Sequence, residues 1–190
     1  MARLPKDVQM AIQRQAPKAL RKPFEKEFKK KFLRIKSEMI KEFLSHPVTI
    51  ELIAGPSSSN ISGTLGGISN LFAFIGFDSS DSPVEPILQI LENMNYNYSG
   101  EAKIGVIYNV NIPEASDIFK VTPLPWASGR SWAQGIETGI SGLGYLLRKD
   151  KGRSGGAVQS KTIVRSGRFQ NTQYISALIN KYKKQFNNIK

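Results

Sequence analysis

Cysteine is absent from the 190 residues. That removes a disulfide framework, a thiolate nucleophile and any cysteine-ligated zinc or iron–sulfur centre. Histidine is nearly absent: His46 stands alone, directly before Pro47. The residue before a proline is pushed out of helical backbone, and a lone histidine there reads as a turn residue rather than a catalyst or ligand. No apolar run is long enough to cross a bilayer, and the opening MARLPKDVQM holds no apolar stretch of the signal-peptide kind. The expectation is an intracellular chain with neither a leader nor a membrane span, so the sequons at Asn60 and Asn97 carry no weight.

Phosphate-binding and hydrolase signatures are missing as well. Residues 63–67 (GTLGG) and 139–144 (GISGLG) do not match G-x-G-x-x-G, and neither a P-loop nor a G-x-S-x-G elbow occurs. Asp78, Asp81 and Glu85 lie close together but miss the spacing of a calcium loop, and read as a solvated turn. The expectation is a protein that is not an enzyme and has no cofactor or metal site.

What is present is a globular composition, 40% hydrophobic and 22% charged, on a chain of single-domain length. Its charge is unevenly placed. Residues 1–43 carry 13 Lys/Arg against 5 Asp/Glu, residues 44–127 carry 2 against 8, and residues 128–190 carry 12 against 2, giving +8, −6 and +10 of the net +12. Basic ends favour contact with a polyanion, and an acidic middle offers a surface to a basic neighbour.

The chain reads as helical from about Pro5, with Pro17 and Pro23 as kinks or restarts. From Pro23 on, Phe24, Phe28, Phe32, Ile35, Met39 and Phe43 recur at steps of three and four and form one stripe, with Lys22, Lys26, Lys30 and Lys41 on the opposite side. His46 and Pro47 end this helix. Residues 48–53 (VTIELI) read as a strand leading into a flexible loop at 55–60, and residues 70–77 (NLFAFIGF) as a second strand. A polar turn at 78–83 and a helix at 84–94 follow. Residues 102–112 give the strongest strand pattern. Residues 143–147 and 157–164 read as strands flanking a hairpin tip at 148–156, and a helix at 172–186 turns Tyr174, Ile175, Leu178, Ile179 and Tyr182 inward. The expected fold class is α+β: a long N-terminal helix and a C-terminal helix packed on a small, mostly antiparallel sheet, with an extended basic hairpin arm. Residues 1–125 form the helix-plus-sheet core, 126–171 the glycine-rich basic arm of the same domain, and 172–190 the closing helix.

The densest cationic group is Arg148, Lys149, Lys151, Arg153, Lys161, Arg165 and Arg168, candidates for contact with a polyanion or a neighbouring subunit. An exposed loop kept soluble by its charge has the same pattern. Trp126 and Trp132 read either as interface anchors or as side chains that close the core.

Residues 128–139 (SGRSWAQGIETG), the basic hairpin after them and residues 167–176 (GRFQNTQYIS) resemble the neck, tail-completion and minor tail proteins of tailed bacteriophages. Residues 62–67 (SGTLGG) echo loosely the Gly/Leu/Arg segment that follows the first helix in that group. The resemblance implies a virion structural protein, assembled in the host cytoplasm, that forms a homo-oligomeric ring between the portal complex and the tail. Its partners would be further copies of itself and the neighbouring portal, adaptor or tail proteins, with basic residues near the DNA channel and no membrane contact. The same basic ends also suit a free, sequence-nonspecific nucleic-acid-binding protein, and the apolar stripe with its lysine face is compatible with an interfacial membrane helix.

Overall fold

The first helix, α1, runs uninterrupted from Lys6 to Ser45. The computed structural model describes residues 5–67, 70–102, 105–138 and 172–189. Both Pro17 and Pro23 are contained within α1, where each removes one hydrogen bond and the flanking turns keep the rest. Phe32, Ile35, Met39 and Phe43 of the expected stripe are buried and Phe28 is half-buried, whereas Phe24 is 41% exposed. Core packing on α1 therefore starts about one turn later than the periodicity suggests.

His46 stops α1 and starts α2, Pro47–Ala54. Its extended backbone breaks the first helix, and its Nδ1 accepts from the Val48 amide at 3.3 Å, capping the second. Proline at the first helical position completes the start signal. Residues 48–53 are thus helical, not a strand. Their burial shows why: Val48, Thr49, Glu51 and Leu52 face inward at helical spacing, and the alternation read from the sequence is incidental.

Residues 70–77 are likewise a helix, α3, Leu71–Ile75. The Asn70 side chain accepts from the Ala73 amide at 2.9 Å, and Gly76, at φ 95°, ends the helix in the left-handed conformation that glycine adopts without strain. The loop at 55–60 is pinned by hydrogen bonds. A short 3-10 turn at Gly55–Ser57 leads to Asn60, which is 9% exposed and bonded on both ends of its amide.

The turn expected near residue 80 is present, closed by the Asp81 amide donating to the Asp78 carbonyl at 2.8 Å. Helix α4, Glu85–Glu92, buries Ile87 and Leu91. Strands β1, Asn95–Ala102, and β2, Gly105–Asn111, pair antiparallel with a bulge between Tyr98 and Gly100. Then come α5, Ala115–Lys120, a second antiparallel pair formed by β3, Pro123–Leu124, and β4, Ala127–Ser131, and α6, Trp132–Thr138. The last described element is α7, Ile175–Asn187, which buries Ile175, Leu178, Ile179, Tyr182 and Phe186 against α1, α5 and α6. The chain is α+β, with its long first helix, its C-terminal helix and, among the described residues, two small antiparallel sheets.

Candidate assembly and polyanion interface

The seven cations at Arg148, Lys149, Lys151, Arg153, Lys161, Arg165 and Arg168 lie outside the described residues, as do the expected strands at 143–147 and 157–164. The described residues include a basic row on α1. Lys22, Lys26, Lys29, Lys30 and Lys41 are all exposed. Arg34 pairs with Glu38 at 3.8 Å, an exposed contact one helical turn apart that contributes only a few tenths of a kcal/mol. Among the described residues Lys22, Lys26, Lys29 and Lys30 form no ion pair. Their ammonium groups stand in water along two successive turns, as a row that phosphate oxygens could meet.

The opposite side of the same turns is occupied by the β1–β2 hairpin. Phe28 stacks on Tyr108 with ring centroids 4.4 Å apart and meets Tyr96 edge-on at 5.0 Å. The Arg21 guanidinium lies 4.1 Å from the Tyr98 ring centre. Lys36 reaches from α1 to the carbonyls of Glu92 and, at 3.0 Å, Met94, tying the helix to the start of β1. The hairpin thus fixes the lysine row relative to the body. Sequence reading missed β1 because NYNYSGEA is polar; its signal was Tyr96 and Tyr98, alternate residues that join one aromatic cluster.

Before Phe28 the described side chains of α1 are exposed, with Arg21 against Tyr98. Residues 5–11, 15 and 21–27 are exposed, including the apolar side chains of Val8, Met10 and Phe24. This extension went unnoticed in the sequence, where the apolar stripe reads straight on to Phe24.

The two tryptophans are placed differently. Trp132 is 1% exposed, edge-on to Phe77 at 6.0 Å and beside Tyr174 at 6.4 Å, so its ring belongs to the core of this chain. Trp126 is half-buried, and its indole Nε1 donates to the Ile75 carbonyl at 2.7 Å, satisfying the end of α3.

Around the junction of α1 and α7 lies an open cavity of about 380 Å³, lined by Glu42, Phe43, His46, Tyr174 and Lys181. Its polar groups are already committed. His46 Nε2 faces the Gln173 carbonyl at 3.1 Å while Nδ1 caps α2, so neither ring nitrogen is left to act as a base. Burial holds this imidazole below the ordinary histidine range, against the opposing pull of the Gln173 carbonyl and Glu42. Glu42 accepts from Lys181 at 2.6 Å and Tyr182 at 2.7 Å, and these two bonds, Lys181 first, keep its carboxyl below the usual glutamate value. Thr49 and Tyr174 share a buried hydroxyl pair at 2.8 Å, and burial pushes the Tyr174 phenol far up. Glu137 accepts from the amide and the hydroxyl of Ser176, both at 2.6 Å, and so closes the first turn of α7. These bonds hold the helix ends together.

Glu51 plays the same part for the loop before α3. It is fully buried and accepts from Asn60 Nδ2 at 3.1 and 3.2 Å, from the Ser62 amide at 2.9 Å and from the Leu71 amide at 2.7 Å. Asn60 in turn accepts from the amides of Leu65 and Gly67. Asp78 and Asp81 are exposed in their turn, and among the described residues no group of three His, Asp or Glu side chains could hold a metal ion. No helix among them is long and apolar enough to cross a membrane. No protein-family model, curated protein or solved structure matches the chain.

Proposed function

We propose that this chain is a structural protein of a tailed-phage virion, forming a ring at the head–tail neck or the tail end with its basic residues toward the DNA. The observation that carries the reading is the length of α1 set against the body that covers it. Forty residues form one helix, yet described residues 5–11, 15 and 21–27 are exposed. A helix of that length gains most of its stability by packing an apolar face, and among the described residues Val8, Met10 and Phe24 are left exposed. Such an extension fits an assembly subunit that packs against neighbours. The resemblance of residues 128–139 and 167–176 to neck and tail-completion proteins supplies the setting, and the bonded state of His46, Glu42 and Glu137 fits a scaffold rather than a reaction centre.

The lysine row favours a second reading, a free nucleic-acid-binding protein that uses the same cations without a place in a particle. One experiment separates the two. Particles purified from the source lysate are washed in high salt with nuclease and labelled with antibody against this chain. Retention at the head–tail junction or the tail end supports the structural reading. Loss with the released DNA, or absence from particles, overturns it in favour of the second.

A further inference from the structure

Strand β2 has one edge against β1 and a second edge that no described strand covers. Among the described residues no backbone hydrogen bond joins β2 to any segment but β1, so alternate residues along it present their N–H and C=O groups outward. An edge of that kind pairs with whatever strand reaches it, and proteins ordinarily blunt it with charge, proline or a bulge. On β2 all three are missing. Its sequence, GVIYNVN, has no charged residue and no proline, and Ile107 is 46% exposed. The extra residue of the ladder is on the other strand, between Tyr98 and Gly100, and so is the exposed Glu101. It is β1 that is blunted and β2 that is left open.

A hollow of about 430 Å³ runs beside this edge. Residues 106–110 of β2, five in succession, line it, and no residue of β1 does. A hollow over one face of the sheet would touch alternate residues of both strands, because successive side chains point to opposite faces; consecutive residues of a single strand mark the edge. Phe28 of α1 and Phe186, Asn187 and Ile189 at the end of α7 complete the lining. Phe28 is held in place by stacking on Tyr108, and Phe186 is buried beside Phe32 with ring centroids 5.6 Å apart. The hollow is thus a groove with β2 on one side and the end of α7 on the other. Five residues of strand extend about 17 Å, which gives the groove a width of about 5 Å, the spacing between neighbouring strands of a sheet.

The wall formed by α7 decides what can enter. A strand already paired along its far edge would bring its partner strand to the place that α7 occupies, and this excludes the β1–β2 hairpin of another copy. A single extended segment, unpaired until it arrives, is what fits. Charge narrows the occupant further. All nine lining residues are uncharged on a chain with 22% charged residues, so a charged side chain turned into the groove would lose water without gaining a counter-charge.

We infer that the open edge of β2 takes one extended, uncharged segment of a partner protein as a third strand, seated between β2 and the end of α7. Main-chain hydrogen bonds to β2 hold the segment, and alternate side chains meet the apolar Phe28, Phe186 and Ile189 and select its sequence. This site goes beyond the ring reading and does not depend on it, since its occupant is neither a second copy nor DNA.

The test uses the full chain and a synthetic library of uncharged heptapeptides composed of Val, Ile, Thr, Ser, Asn and Tyr. Fluorescence anisotropy ranks the peptides, and NMR reads amide hydrogen exchange of the chain with and without the tightest of them. Saturable binding is expected, with exchange slowed at alternate residues of β2. N-methylation of alternate peptide amides should abolish binding in one register and leave it intact in the other. Ile107→Lys puts a charge on the edge and should weaken binding by about tenfold or more, whereas Asn97→Lys, on β1, should leave it unchanged. Both side chains are exposed, so each variant should melt with the parent. The site is overturned if no library member binds saturably, if binding slows exchange elsewhere but not in β2, if the two N-methylated registers behave alike, or if Ile107→Lys binds as the parent does. Outward amides of β2 that already exchange slowly in the free chain also overturn it, because a segment of the same chain then covers the edge.

Discussion

His46 does the work of a joint. Its backbone ends one helix, its Nδ1 starts the next, and Nε2 donates to the Gln173 carbonyl just ahead of α7, an arrangement that requires the neutral ring. Because burial lowers its pKa in the fold, the unfolded chain takes up a proton first as pH falls. The stability it contributes is complete above the unfolded value of about 6.5 and is lost as pH falls from there through the lower folded value. We predict a melting temperature that declines over that interval, and a flat profile there for His46→Asn, which keeps a capping oxygen without a titrating group. Equal slopes in the two proteins would remove His46 as the cause. Glu42 acts in the same direction at lower pH: its folded pKa is depressed, so its share is lost as pH falls below about 4.5. Glu51 is a purely structural acceptor. Glu51→Gln turns an amide N–H toward donors and is predicted to lower the unfolding free energy by about 3 kcal/mol in a urea titration. A change below about 0.5 kcal/mol would mean that the loop is held by something else.

Among the elements, α1 has two prolines inside a continuous helix. Pro23, an exposed residue, sits where the helix leaves the hairpin clamp, and Pro23→Ala restores a hydrogen bond and removes a clash with the preceding turn. The expected result is slower amide exchange in the turns on either side and higher helicity, since proline costs about 3 kcal/mol relative to alanine within a helix. Unchanged exchange would show that these turns are held by contacts rather than by their own hydrogen bonds. Helix α3 depends on its ends in the opposite sense. Gly76 is left-handed and its amide reaches the carbonyls of Phe72 and Ala73, so Gly76→Ala should cost about 1 kcal/mol of stability.

For the molecule as a whole, the charge distribution gives a measurable expectation. If the lysine row of α1 meets phosphate, changing Lys22, Lys26, Lys29 and Lys30 to Gln should reduce the slope of log affinity for duplex DNA against log salt by about 3 to 4 and leave sequence preference untouched. An unaltered slope would assign whatever DNA binding exists to other cations. Much of this arrangement is legible in the sequence. The stripe from Phe28 to Phe43, the break at His46, helix α4, strand β2 and the inward face of α7 follow from periodicity and proline chemistry, which act over a few residues. Residues 48–53 and 70–77 do not. Short apolar runs have too few repeats to separate a period of two from a period of 3.6, and their cap residues, His46, Asn70 and Gly76, had to outweigh β-branched composition in the first and aromatic composition in the second.

Local chemistry in the sequence determined where helices start and stop, which face of α1 carries lysine, and that the ends are basic and the middle acidic, because spacing and charge are properties of the chain itself. Tertiary structure decided what those features face. It put Trp132 in the core and Trp126 on the end of α3, turned Glu51 inward, and among the described residues left Val8, Met10 and Phe24 of α1 and Ile50 and Ile53 of α2 exposed. Burial depends on which distant segments arrive at a surface, and no periodicity within one segment contains that information.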